Sequence, residues 1–246
     1  TITPSVQIKN SELGDIAGVF TSRGPNLPFG TIFAPDVAAP GVDIYAANSE
    51  DHPWADNIIE TPYTSMSGTS MSSPHVAGAL ALIYAVHKDW TPAQAQSALM
   101  TTAKHVTYKD DDFDGVKERS DFFDQGAGSI RVDAAIKAGL LLNITKQEYL
   151  NADPDQGGDP AKLNSSSMVS EACLNTCSWT RTVTAAAAGS WTASYEYMQP
   201  GVEVTVSPAS FTLAKGQSQE LTISISANIH LVDEWTHSFV QLTPSD

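Results

Sequence analysis

The sequence predicts an α/β unit followed by an antiparallel β-sandwich. Three observations carry that prediction. Over the first part of the chain, short apolar runs alternate with helical segments; Asp, Pro, Gly and Ser cluster over 151–167; after that, apolar residues recur with period two. The divisions implied are an α/β unit over 1–150, a linker over 151–162 and a sandwich over 163–246.

In chain order, Asp15–Phe20 reads as a short strand, followed by the turn-rich Ser22-Arg23-Gly24-Pro25-Asn26. Val42–Ala46 reads as a second strand, launched from Ala39-Pro40-Gly41. Ser73–His87 has hardly a charge on any face, so as a helix it is expected to be buried nearly all round. Thr91–Ala103 carries a full start signal: Thr91 to cap, Pro92 at the first helical position and Gln94 to complete a capping box. Val132–Ala138 is a short helix stopped by Gly139. In the second unit, Trp179–Thr184, Val202–Val206 and Leu221–Ile225 alternate as strands, punctuated by Ala185–Gly189, Pro208 and Lys215-Gly216.

The 246 residues carry 13 Lys+Arg against 28 Asp+Glu, a net charge of −15. That balance opposes attraction to nucleic acid or anionic lipid. No stretch approaches the ~20 apolar residues of a membrane span. The opening TITPSVQIKN has no secretory-signal pattern, so an export signal would lie outside this chain.

The stretch with most chemistry is Ser67-Gly68-Thr69-Ser70-Met71-Ser72-Ser73-Pro74-His75-Val76-Ala77-Gly78. Gly68 allows a tight turn with access to Ser70, and a helix start puts unpaired N–H groups beside the hydroxyl. Such donors stabilise a tetrahedral oxyanion formed on a nucleophilic serine. The plain alternative is a serine that only caps the helix.

The spelling of that stretch resembles the active-site serine segment of the subtilisin-like serine proteases, the subtilases. Further motifs follow in order. Phe20–Asn26, Pro35–Ile44, Trp90-Thr91-Pro92, Ser97–Ala103 and Gly126-Ala127-Gly128 resemble segments of the plant-type and related bacterial branch. The resemblance implies a parallel-sheet catalytic domain, of which 1–150 is the C-terminal part. It implies Ser70 as the nucleophile, with its own N–H as an oxyanion donor. Thr69 would lie beside the oxyanion hole, Met71 behind the nucleophile, and Ser67 and Gly68 on the leaving-group side of the cleft. The family's catalytic Asp, its His in an H-G-T context and its oxyanion Asn are absent; none of the six histidines has that context. His75 is five residues from Ser70, about 140° past a full turn, so its ring is expected to face away.

The chain is thus expected to be the serine-bearing part of a secreted endopeptidase acting on proteins or peptides. The missing groups would lie upstream, beyond an inserted protease-associated domain, and the chain alone would be inactive. A non-catalytic scaffold on the same fold is the alternative, and an independent sandwich binding module a third. Residues 163–246 resemble the fibronectin type III-like domain of plant-type subtilases, which in relatives continues past this point.

The chemistry requires no cofactor. Asp110, Asp112, Asp114 and Asp121, with Gly115 at position six, match the spacing of a Ca²⁺ loop, so a structural Ca²⁺ is one expectation. Lys117 at position eight and Asp121 in place of Glu speak against it, and a solvated acidic loop is the other reading. Cys173 and Cys177 are free thiols or a small disulfide ring; the secretion that the family implies favours the disulfide. Asn143 and Asn164 begin Asn-x-Ser/Thr sequons, which matter only in a eukaryotic host.

Overall fold

The computed structural model describes residues 14–26, 30–49, 62–105, 107–110, 116–171, 173, 175–197, 202–227 and 235–245. β1 (Ile44–Ala47) and β2 (Tyr63–Met66) make an antiparallel ribbon, Ile44 opposite Met66 and Ala47 opposite Tyr63. The ribbon runs directly into α1 (Thr69–Val86), and α2 (Pro92–Thr101) follows. α2 starts as its sequence requires. The Thr91 side chain accepts from the Gln94 N–H, and the Gln94 side chain accepts from the Thr91 N–H at 2.9 Å.

α1 departs from expectation twice. It begins at Thr69, four residues before Ser73, because Gly68 takes the cap position. It is also buried on one face only. Ala79 and Ile83, one turn apart, are buried in a core shared with Ala95, Ala98 and Leu99 of α2 and Ala135 of α4 (Val132–Ala135). On another face Leu82 and Val86 are each 57% exposed. Among the described residues nothing covers that side of an almost uncharged helix.

Asp15–Phe20 is not a strand. Ile16 makes a single parallel bridge to Tyr108, and the chain then turns, Thr21 N–H donating to the Gly18 carbonyl at 2.8 Å. That bridge and the parallel bridge Ala38–Ser129 are the parallel pairings outside named strands among the described residues. β3 (Tyr108–Lys109) and β4 (Glu118–Arg119) form a short hairpin.

After the hairpin comes α3 (Phe122–Gln125), a turn of helix that the sequence reading passed over. Asp121 caps it, its Oδ1 accepting from the N–H groups of Phe123 and Asp124 at 2.8 and 3.1 Å. Its Oδ2 takes the Arg23 guanidinium at 2.8 Å, and the same guanidinium also pairs with Asp124. Burial pushes the Asp121 carboxyl up, but Arg23, the Asp124 amide and the charge of His237 outweigh it and hold the group below the usual range. Asp124 shifts the other way despite sharing Arg23. It is buried, and the neighbouring Asp121 charge adds to the push. Asp121→Ala is expected to cost about 1.5 kcal/mol at pH 7 through the lost cap and ion pair. A depressed native pKa means that this contribution is present above the free-carboxyl value and lost as pH falls through the native one. Urea titrations should therefore show the two proteins converging below about pH 4, and a constant difference down to pH 2 would contradict it.

One short strand from the first part of the chain joins the sheets of the second unit. β5 (Leu140–Leu141), which the sequence groups with the first unit, is an edge strand of the sandwich. Between it and the remaining strands lie α5 (Lys146–Asn151) and two 3₁₀ turns, Pro154–Gln156 and Pro160–Lys162. The linker composition thus encodes capped turns, with Asp153 and Asp159 accepting the backbone N–H two residues on.

The strands are β6 (Thr176–Ala185), β7 (Gly189–Tyr197), β8 (Val202–Ser207), β9 (Ser210–Leu213), β10 (Ser218–Ala227) and β11 (Ser238–Pro244). They form two antiparallel sheets, β5-β6-β10-β8 and β11-β7-β9. Val183, Val202, Val204, Leu221 and Ile223 alternate inward as the sandwich core, joined by Leu142. Cys173 and Cys177 are disulfide-bonded.

Polar and aromatic contacts fasten the units together. Arg119 reaches Glu196 of β7 at 3.0 Å and His105 lies 3.4 Å from it, while Phe122 packs edge-on to Phe239 and Phe123 to Trp235. No described helix is long and apolar enough to cross a membrane.

Candidate active site

The site is assembled where the β1–β2 ribbon meets α1. Residues 39–43 run beside residues 67–72, and alternate residues bond across. The Ser72 hydroxyl donates to the Ala39 carbonyl at 2.9 Å, the Gly68 N–H to the Gly41 carbonyl at 2.8 Å, and the Asp43 N–H to Ser67 Oγ at 2.8 Å. A Cβ on Gly41 would stand 2.8 Å from the Gly68 carbonyl, so this approach needs glycine. The Gly68 carbonyl in turn accepts from Met71 and Ser72 at 3.0 and 3.3 Å, closing the first turn of α1.

Ser70 occupies the second position of that turn and is exposed. Among the described residues its hydroxyl and its N–H have no hydrogen-bond partner. The first turn of α1 contains no acidic residue, so the N–H groups at the positive end of the helix dipole are not capped from within it. The arrangement offers an open hydroxyl beside an open N–H donor at a helix N-terminus, which suits attack on a carbonyl and stabilisation of the resulting oxyanion. Thr69 is exposed beside it, and Met71 is half-buried with its sulfur 3.5 Å from the Gly68 Cβ position.

No base accompanies Ser70 among the described residues. His75 donates its Nδ1–H to the Met71 carbonyl at 2.8 Å, folding against its own helix. The sequence reading missed Asp43, whose contact with Ser67 spans 24 residues. Nothing in the neighbouring sequence marks it; in the structure its φ is 51°, a left-handed conformation in which Asp and Asn are over-represented.

Of the four carboxylates of the acidic stretch, Asp110 and Asp121 are described, and Asp110 Oδ1 is buried with no hydrogen-bond partner among the described residues. Asp121 commits both oxygens to the α3 cap and Arg23, and β4 runs through the later loop positions. Asp112 and Asp114 lie outside the described residues. Among the described residues no group of three His, Cys, Asp or Glu side chains is placed to hold a metal.

α1, with Ser70 exposed on its first turn, precedes the β-sandwich in the chain. Two family models match in the same order: the subtilase family over residues 8–128 and a fibronectin type-III domain over residues 162–246. The chain belongs to the subtilase family and carries a C-terminal fibronectin type III-like domain. Among relatives, subtilisin-like protease SBT1.7 of Arabidopsis thaliana is 34% identical over 248 residues, covering 85% of this chain and 32% of that protein. Subtilisin-like protease SBT4.9 of the same plant is 42% identical over 154 residues, covering 61% of this chain and 21% of that one. The chain therefore spans about a third or less of the length of these relatives. Fervidolysin from Fervidobacterium pennivorans overlays at a TM-score of 0.30 and 17% identity, covering 77% of this chain and 23% of that one.

Proposed function

We propose that this chain is the serine-bearing portion of a secreted subtilisin-like endopeptidase, with Ser70 as its nucleophile. The observation that carries the reading is the hydroxyl and N–H of Ser70, without a partner among the described residues, on the first turn of α1, inside the stretch that resembles the family's serine segment. In the reaction, Ser70 Oγ attacks the scissile carbonyl and its proton passes to an upstream histidine. The Ser70 N–H holds one side of the oxyanion and an upstream asparagine the other. Collapse of the adduct expels the amine with that proton and leaves an ester on Ser70. Water, activated by the same histidine, then releases the acid and restores the hydroxyl.

Two features support a larger enzyme. Ser70 has no base among the described residues, and the exposed apolar side of α1 around Leu82 and Val86 suits burial by an upstream half of the catalytic domain. The Cys173–Cys177 disulfide agrees with secretion. Full-length protein should hydrolyse a denatured protein substrate and be silenced by a covalent serine inhibitor, whereas residues 1–246 alone should not hydrolyse it. Hydrolysis by the isolated chain would overturn the division of labour.

A further inference from the structure

We propose that Asp43 is a positioning residue for the nucleophile turn, acting through Ser67; the inference rests on the reading of Ser70 as nucleophile. The contacts between 39–43 and 67–72 amount to a splint, with one bond at each of Ala39 and Gly41 and two at Asp43. Only the Asp43 rung is closed in both directions. Its N–H donates to Ser67 Oγ at 2.8 Å, and the Ser67 hydroxyl donates back to Asp43 Oδ1 at 3.3 Å.

That second bond fixes the rotor of Ser67, so that its lone pairs face the Asp43 N–H. Ser67 is bonded through its own peptide to Gly68, whose N–H meets Gly41 and whose carbonyl starts α1. Displacing Ser67 therefore moves the backbone that aims Ser70. The left-handed φ of Asp43 is the conformation that brings its N–H and carboxylate to the same hydroxyl. The main task of this carboxylate is as a hydrogen-bond acceptor rather than as a charge. Asparagine supplies the same acceptor and tolerates the same φ, whereas glycine keeps the φ and loses the acceptor.

The test uses full-length protease with Asp43→Asn and Asp43→Gly. Asp43→Gly should lower kcat about tenfold with KM within about twofold, since small misplacement of a reacting group acts on the chemical step. Asp43→Asn should stay within about twofold of wild type in both constants. In parallel, amide exchange is followed at Gly68 in residues 1–246, where no activity is needed. Asp43→Gly should speed exchange of the Gly68 N–H, and Asp43→Asn should not. The inference is overturned by an unchanged kcat in Asp43→Gly, by a rise confined to KM, by Asp43→Asn falling as far as Asp43→Gly, or by unchanged Gly68 exchange. A wild-type full-length protein with no hydrolysis sinks the protease reading instead, and the exchange result still decides the splint.

Discussion

Ser70→Ala in the full-length protease is expected to lower kcat by about a million-fold, the scale seen when the nucleophile of a serine triad is removed. Removing the oxygen leaves nothing for the upstream base to deprotonate, while the oxyanion donors and substrate cleft stay in place. KM should change little. Because Ser70 is exposed and its hydroxyl bonds to no described residue, the substitution should leave the thermal midpoint within about 2 °C. A variant retaining a tenth of the activity would show that Ser70 is not the nucleophile. A large fall in midpoint would show that the hydroxyl has a structural partner in the whole enzyme.

The second large effect is expected at Arg181, on stability. Arg181 is 6% exposed on β6, and its contacts are backbone carbonyls rather than a carboxylate. Nε donates to Ser165 at 2.6 Å, Nη1 to Thr180 at 2.9 Å, and Nη2 to Ser167 at 3.2 Å and Ala161 at 3.4 Å. The planar fork thereby ties the chain before β6 to the sheet, beside Asn164, whose amide pairs with both the N–H and the carbonyl of Thr182. Burial pulls the guanidinium down to about 10, so it remains charged at neutral pH and its desolvation offsets part of the gain. Arg181→Met removes that cost but leaves several carbonyls without donors. At about 1 kcal/mol for each well-made bond lost, the net destabilisation should be about 2–3 kcal/mol. Lacking a carboxylate partner, the effect should be the same in low and high salt. A loss below about 0.5 kcal/mol, or one that disappears in 0.5 M NaCl, would contradict the account.

Some local rules were read from the sequence and some were passed over, such as the Thr145–Glu148 capping box of α5; long-range pairings were not legible. Thr91, Pro92 and Gln94 announce α2 because a capping box is complete within four residues. β6, β8 and β10 show as alternation because one face of each is core and the other solvent. Leu140 and Leu141 gave no such signal, since β5 is two residues long and its partner, Thr184-Ala185, lies more than forty residues on. α3 carries a local signal too, the Asp121–Asp124 capping box, but its packing is long-range. Its two phenylalanines are held by Trp235, His237 and Phe239 of the sandwich. Asp121 shows a second role that its spacing did not suggest: its carboxylate caps α3. At the site, Ser70 was found through its neighbours in sequence, while Asp43 was visible only once residues 24 apart were brought to one hydroxyl.

The measurement that bears most directly on the central claim is fluorophosphonate labelling, located by peptide mass spectrometry. It is made on the full-length protein and on residues 1–246. The account predicts an adduct on Ser70 in the full-length protein and none in the isolated chain. Folded, mature full-length protein that takes no label at Ser70 would contradict it, and so would an adduct on Ser70 in the isolated chain.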